Sequence, residues 1–392
     1  MAAGHWIAAL VAVTLIGGAL RAGPALHPNP YRSVDELGYV NVALGFAKTG
    51  RYGRDSLHWP PGAPMAFALA VKLGGREGHD IPAAYAIQWL AGTALIPLVF
   101  LLALRLGGGH AAALVAAAIV ATYPPLIAVT GDLLSEPLGA FWLTAAFAAL
   151  NRHYLAGLLL AAAILTRANL LILLPALAIA LGPRRGAKFA VAALIPIVAW
   201  SLNTSTLITT GGGSSLFVGT YLPGGGTLGG TKAVLGGSHL TGREVMNRVA
   251  ARRPTLSRDA ALRAAAWENV RTYAVRDPVR FAAMLAGKLP RLWLTPSPRS
   301  GGLRTPAMRV WHLIVIGLAL VGMIRLRDRA ILAALIAFTA FHLVVPALPM
   351  LPVVIAAGCA GWRVPRTRRA PQGSPASPVT LPSPGASPSG SA

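Results

Sequence analysis

Cysteine is almost missing from the chain. Cys359 is the only one in 392 residues, which excludes an intrachain disulfide framework and a cysteine-built metal site. It stands in an apolar run near the end of the sequence, as a lipid-buried bystander. Acidic side chains are also scarce: 12 Asp and Glu face 35 Lys and Arg, a formal net charge of +23. Charged residues of all kinds make up only 12% of the chain and the mean hydropathy is +0.59, which excludes an ordinary soluble domain of this size. The excess of basic residues does not point to nucleic acid, because the cations sit in loops between apolar runs and form no soluble basic domain. The expected anionic partner is lipid phosphate.

What is abundant is apolar sequence, 55% of the residues. Runs that approach the roughly 20 residues needed to span about 30 Å of hydrocarbon fall near 5–21, 82–104, 111–130, 135–150, 188–207, 310–324, 330–345 and 348–362. The run 154–182 holds Arg167 at its middle, where an arginine costs about 2.5–3.5 kcal/mol on the insertion scale. It is either one long helix burying Arg167 or two short arms meeting at Arg167 on the outer side. Placing Arg105, Arg152, "GPRRGAK" (182–188), "RLRDR" (325–329) and "WRVPRTRR" (362–369) together inside satisfies the positive-inside rule. This works only if the run crosses twice. The expected fold is therefore all-α and polytopic, with about ten crossings. Interfacial helices occupy the first outer loop (27–80), and 208–309 form one long outer loop. Residues 1–362 make one membrane domain with a retained first helix, and 363–392 a disordered cytoplasmic tail rich in Pro and Ser.

The acidic residues sort by this topology without having been used to draw it. Asp35, Glu36, Asp55, Glu77, Asp80, Asp132 and Glu136 fall in or beside the first two outer loops. Glu244, Asp259, Glu268 and Asp277 fall in the long outer loop, leaving Asp328 alone inside. The stretch "YRSVDELGYVNVALGFAKTGRYG" (31–53) sets Asp35 and Glu36 side by side just beyond the first helix. Val40, Ala43, Leu44 and Ala47 then repeat at helical spacing, as in a helix lying in the interface with one apolar face down. Locally, "SVDE" also reads as a helix start, with Ser33 or Asp35 as N-cap.

Several motifs occur in order: the carboxylate pair after the first helix, "TGDLLSEPL" (130–138), "LTRANLLILLP" (165–175), a Gly-rich segment at 203–230 and "PALPMLP" (346–352). In that order the chain resembles the GT-C membrane glycosyltransferases, in the branch of glycosyltransferase family 39 that includes protein O-mannosyltransferases and the lipid A aminoarabinose transferase. The resemblance runs from residue 1 to about 362. It implies a hexosyl- or pentosyltransferase that takes sugar from a polyprenyl-phosphate donor on the outer face of the membrane, with inversion. Asp35 would be the catalytic base, taking the proton of an acceptor hydroxyl, and Glu36 would orient it or hold an acceptor hydroxyl. Tyr39, in the same stretch, is placed with the substrate-binding residues.

A polyprenyl phosphate leaving group needs fixed positive charge, and Arg167 is the first candidate; the alternative is that Arg167 snorkels or pairs with Asp132 or Glu136. Asp132 and Glu136 either bind acceptor or metal or cap the next helix. His58 stands before paired prolines where many relatives carry lysine, and with Asp35 and Glu36 it offers ligand types for a divalent metal; a lone histidine is otherwise structural. Asn203 opens the Gly-rich segment, where the family has recurrent Asn and Gly. "FHLVVPALP" lacks the Arg-Tyr that the family often carries there.

The acceptor is a protein, lipid or polysaccharide hydroxyl. The Ala/Gly/Arg/Pro-rich composition suits a high-GC bacterium, hence an inner or plasma membrane and cell-envelope polysaccharide. A lipid transporter or flippase is the competing reading. Such proteins show inverted repeats with broken helices, and no internal repeat is found. A catalytically silent scaffold of the same fold is the third.

Overall fold

The structure, a computed structural model, describes residues 3–29, 33–74, 81–236, 239–294, 305–341 and 350–362. Glu77 and Asp80, the "FHLVVPALP" segment beyond Phe341, and the tail 363–392 lie outside the described residues. Every regular element among the described residues is helical. Four helices are long and apolar enough to cross a membrane: Gly4–Leu26, Pro82–Arg105, Pro183–Thr204 and Pro306–Leu326. A bent pair, Gly109–Thr122 with Pro124–Gly131, makes a fifth. Length alone thus marks fewer spans than the ten expected. The remaining apolar runs fold into shorter helices such as His153–Thr166 and Arg329–Phe341, which at 1.5 Å per residue fall short of a 30 Å core. The chain is a multi-pass helical membrane protein.

The 56° bend in the pair has a local cause. Pro124 and Pro125 have no N–H to continue the helical ladder, so carbonyls at the end of Gly109–Thr122 are left without helical donors. Arg21, fully buried on the first helix, donates from Nη1 to the Ala121 carbonyl at 2.9 Å and from Nη2 to the Val120 carbonyl at 2.8 Å. Elsewhere, helix contact is made by removing side chains. A Cβ at Gly322 or Gly361 would run into the facing backbone of the other helix, so Pro306–Leu326 and Leu351–Gly361 touch main chain to main chain.

The run through Arg167 is broken. His153–Thr166 has 14 residues and Leu173–Leu181 has nine, separated by an extended Arg167 (φ −142°, ψ 98°) and the 3-10 turn Ala168–Ile172. The contacts show the chain reversing there. Gly157 packs on Phe189 and Ala193, Gly186 packs on Ala178, and Thr166 meets Gly62. Tyr52, a few residues before Gly62, meets Trp200 at the far end of Pro183–Thr204. The segments therefore run up, down and up, with Arg167 at one end of the bundle, as the two-arm reading expects.

That end collects the Val34–Thr49 helix, the 131–136 loop and the break at Arg167. The opposite end collects basic loops. Arg105 bonds Asn151 Oδ1 at 2.8 Å and the Phe147 carbonyl at 2.9 Å, Gly108 packs on Ala360, and Arg325 lies 3.8 Å from the Trp362 ring centroid. Above the first end, helices between Gly212 and Leu294 form a cap with a core of its own, built on Phe217, Val245, Met246, Val249 and Leu262.

Candidate active site

The Val34–Thr49 helix starts on Ser33, whose hydroxyl accepts from the Glu36 N–H at 3.2 Å while the Ser33 N–H donates to Glu36 Oε2 at 2.8 Å. This capping box satisfies two orphan donors of the first turn. Glu36 Oε1 also accepts from the Leu133 N–H at 3.0 Å. Glu36 is 3% exposed, so both its oxygens are committed to backbone, tying the helix to the 131–136 loop. Its neighbour Asp35 is half-buried, and its charge is felt by Tyr39, His58 and Arg167. The buried face of the helix, Tyr39, Val40 and Ala43, packs on Ala63, Phe67 and Tyr85 of the neighbouring helices. The apolar stripe expected to lie on the bilayer is thus used largely against protein.

Tyr39 is the hinge of a polar chain. Its hydroxyl donates to Ser135 Oγ at 3.0 Å, and Arg167 Nη1 donates to the same oxygen at 2.9 Å. Arg167 Nη1 also pairs with Glu136 Oε1 at 2.9 Å, with side-chain exposures of 11% and 20%. Arg167 Nε is buried without a hydrogen-bond partner among the described residues. Gly139 leaves room for the arginine stem, since a Cβ there would lie 2.7 Å from Arg167 Cδ. Burial pushes the Tyr39 hydroxyl up to about 12, so Tyr39 is a neutral donor at ordinary pH.

Trp59 meets Tyr39 in a tilted arrangement with centroids 4.7 Å apart and His58 edge-on at 4.9 Å. The Tyr52 hydroxyl donates to the Trp59 carbonyl at 2.8 Å, and Thr210 N–H donates to the Leu57 carbonyl at 2.9 Å. Gly211 approaches the His58 ring so closely that a Cβ would lie 2.7 Å from Nδ1. Burial and then the Arg258 charge hold the His58 imidazole below its usual range, favouring the neutral ring.

Asp132 is 8% exposed. Burial, then the nearby Glu36 and Glu136 carboxylates, push its carboxyl up to about 7. Its loop is held by Gln88, whose Nε2 donates to the Asp132 carbonyl at 3.0 Å and the Leu134 carbonyl at 2.6 Å.

The structure thus brings together Asp35, Glu36, Tyr39, His58, Asp132, Glu136 and Arg167. It does not bring Asn203 to them: that side chain is exposed on the last turn of Pro183–Thr204, whose buried face there is Trp200. The expected metal set does not fit either. Glu36 has given its oxygens to backbone amides, and among the described residues no three His, Cys, Asp or Glu side chains gather as a metal site. Arg167 is paired with Glu136 as the structural reading allowed, yet it keeps an unpartnered buried Nε. Sequence reading missed Ser135, the joint between Tyr39 and Arg167. It also missed Gln88, though a lone amide in an apolar run is a visible signal of a buried polar role.

Chemically, the cluster offers a half-buried carboxylate, a buried guanidinium held by Ser135 and Glu136, and aromatic and imidazole rings beside them. No family model matches the chain, and no curated protein matches it. Among solved structures it is similar to the oligosaccharyltransferase AglB from Archaeoglobus fulgidus, solved in complex with an inhibitory peptide and a dolichol-phosphate. That match has 15% identity and a TM-score of 0.48, covering 91% of this chain and 50% of that one. It is also similar to ArnT from Cupriavidus metallidurans bound to undecaprenyl phosphate, with 15% identity and a TM-score of 0.41, covering 92% of this chain and 78% of that one. The chain spans about half the length of AglB. Likeness at this level is a similarity of helical layout and decides nothing about substrate.

Proposed function

We propose that the protein is an integral membrane glycosyltransferase that moves a sugar from a polyprenyl-phosphate donor to an acceptor hydroxyl. On this reading the Asp35 end of the bundle faces outward and the basic loops face the cytoplasm of a bacterial cell. The observation that carries it is that the buried Arg167 feels the charge of Asp35, far away in sequence; the family resemblance implies Asp35 as base, and Arg167 is the first candidate for phosphate contact.

The acceptor oxygen attacks the anomeric carbon as its proton passes to the Asp35 carboxylate. The bond between that carbon and the phosphate oxygen breaks, and the electron pair leaves with the polyprenyl phosphate. Arg167 offers the departing phosphate a positive charge that is already oriented by Ser135 and Glu136, so little reorganisation is needed when negative charge develops. Tyr39 fixes Ser135 and forms the floor. Glu36 holds Asp35 in place through the capping box and takes no proton. Attack opposite the leaving group gives inversion, as the family resemblance implies. Asp132 and His58 lie where they would touch sugar or acceptor hydroxyls.

The test is sugar transfer from labelled polyprenyl-phosphate sugars to endogenous acceptors, in membranes holding wild type or Asp35→Asn at equal abundance. Loss of a general base is expected to cost about a hundredfold or more. Equal transfer by both proteins would remove Asp35 from the mechanism. Absence of transfer by wild type across the donor panel, with lipid movement in a flipping assay, would replace the transferase reading altogether.

A further inference from the structure

At the basic end of the bundle, opposite the residues gathered round Arg167, a groove of about 1490 Å³ opens between two helices. Its walls are Gly109–Thr122 and Pro306–Leu326, and its floor is Leu351–Gly361, which contributes Ile355, Gly358 and Cys359. Both walls are fixed to that floor by main-chain contact. A Cβ at Gly108 would lie 2.8 Å from Ala360 Cα, and one at Gly322 would run into the Gly358 carbonyl. Just beyond Ile119 the Tyr123 hydroxyl and His312 Nδ1, both side chains buried, are hydrogen-bonded across from one wall to the other. The groove is therefore preformed and ends there, while Gly109, His110 and Arg325 at its other end are exposed.

Its size and lining fit a lipid. From His110 to Ile119, and from Arg325 back to Trp311, the walls run about 14 and 21 Å at 1.5 Å per residue, close to half of a roughly 30 Å hydrocarbon core. Between the ends the lining is apolar, with Val115, Ile314 and Leu318 exposed. Both wall helices belong to the segments able to cross a membrane. Water would find too few polar partners in such a groove, so in a bilayer hydrocarbon chains fill it.

The charge lies at one end. Arg325 is the one Lys, Arg, Asp or Glu in the lining. Its guanidinium sits 3.8 Å from the Trp362 ring centroid, and Trp362 is held in turn by its Nε1 donating to the Leu318 carbonyl at 2.7 Å. A guanidinium resting on an aromatic ring keeps N–H donors for a phosphate. Arg325 forms no ion pair among the described residues. Asp328, the nearest carboxylate in sequence, accepts from the Ile331 N–H at 3.0 Å at the start of the next helix.

We infer that this groove binds an anionic phospholipid from the leaflet on the basic side, with acyl chains along Val115, Ile314 and Leu318 and the headgroup phosphate on Arg325. A slot one leaflet deep with a single oriented cation at its interfacial end is complementary to that ligand. The sequence after Trp362 does not suit the groove, since "RVPRTRR" and the Pro/Ser-rich residues beyond it contain no apolar run to fill it. The inference does not rest on the transferase reading.

The test is native mass spectrometry of the full chain, delipidated in mild detergent and offered phosphatidylglycerol or phosphatidylcholine with matched acyl chains. Phosphatidylglycerol is expected to bind about fivefold or more tightly, the scale of one arginine at a lipid surface. Arg325→Gln should lose this preference, whereas R184Q/R185Q, exposed on another basic loop, should keep it. Ala112→Phe, which sets a ring into the groove wall, should weaken binding of both lipids. No preference in wild type overturns the inference, and equal loss in R325Q and R184Q/R185Q does so by showing diffuse charge. Displacement of the lipid by inorganic phosphate would make this a simple anion site, and wild-type binding by Ala112→Phe would remove the groove from it; either sinks the proposal. A wild type that binds no phosphatidylglycerol and runs as a dimer would show a second copy in the groove, with the same result. Should Ala112→Phe not fold, the Arg325 comparison decides alone.

Discussion

Asp132 is the residue whose surroundings most change its chemistry. Its carboxyl is buried beside Glu36 and Glu136 and pushed up to about 7, whereas in the unfolded chain it titrates near about 4. Between those two values the folded protein holds a proton that the unfolded chain has released. Raising the pH through about 4 to 7 therefore lowers stability. Asp132→Asn removes that dependence, so wild type should lose several degrees of melting temperature relative to the variant as pH rises from 5 to 8. Parallel curves would mean that the carboxyl is solvated. At this scale the sequence identified the charged members of the site by type. It did not show that Glu36 is consumed by capping: "SVDE" contains the capping box in plain view, but the Leu133 amide that takes the second oxygen is 97 residues away.

At the scale of elements, breaks matter more than lengths. Arg167 interrupts one apolar run and Pro124-Pro125 bends another. Both were visible as an arginine and a proline pair inside apolar sequence. What repairs each break was not visible, because the partner comes from a distant helix. Arg21→Met should leave the Val120 and Ala121 carbonyls buried without donors, at about 1–3 kcal/mol for each orphaned group. Thermal unfolding in detergent checks this, with Arg21→Lys expected to recover part of the loss. An unchanged midpoint for Arg21→Met would show that water reaches the bend. Asn203 shows the opposite case, an element boundary near the expected place whose side chain is exposed.

At the scale of the whole molecule, the two ends of the bundle differ in charge and in content. One gathers Arg105, Asn151, Ala360 and Trp362; the other gathers the carboxylates, Arg167 and the cap. The proposed orientation predicts which end an impermeant thiol reagent reaches in intact cells. In a Cys359→Ser background, the Val34→Cys variant, 81% exposed in wild type at that position, should label from outside, and Asn151→Cys only after the membrane is opened. The reverse pattern would invert the topology and place the candidate site inside. Helix length by itself was a poor guide here, since several apolar helices of the bundle are too short to be recognised as spans.

The sequence by itself determined that this is a helical membrane protein, that charge is divided between alternate loops, and that Asp35 follows the first helix. Those are consequences of composition and of the cost of placing charge in hydrocarbon, which act along the chain. Only the tertiary structure decided that Tyr39, Ser135, Arg167 and Glu136 form one connected chain and that Asn203 is outside it. Those depend on which distant helices pack together. A hydrogen bond or an ion pair specifies its partner by position in space, and nothing in local spacing records it.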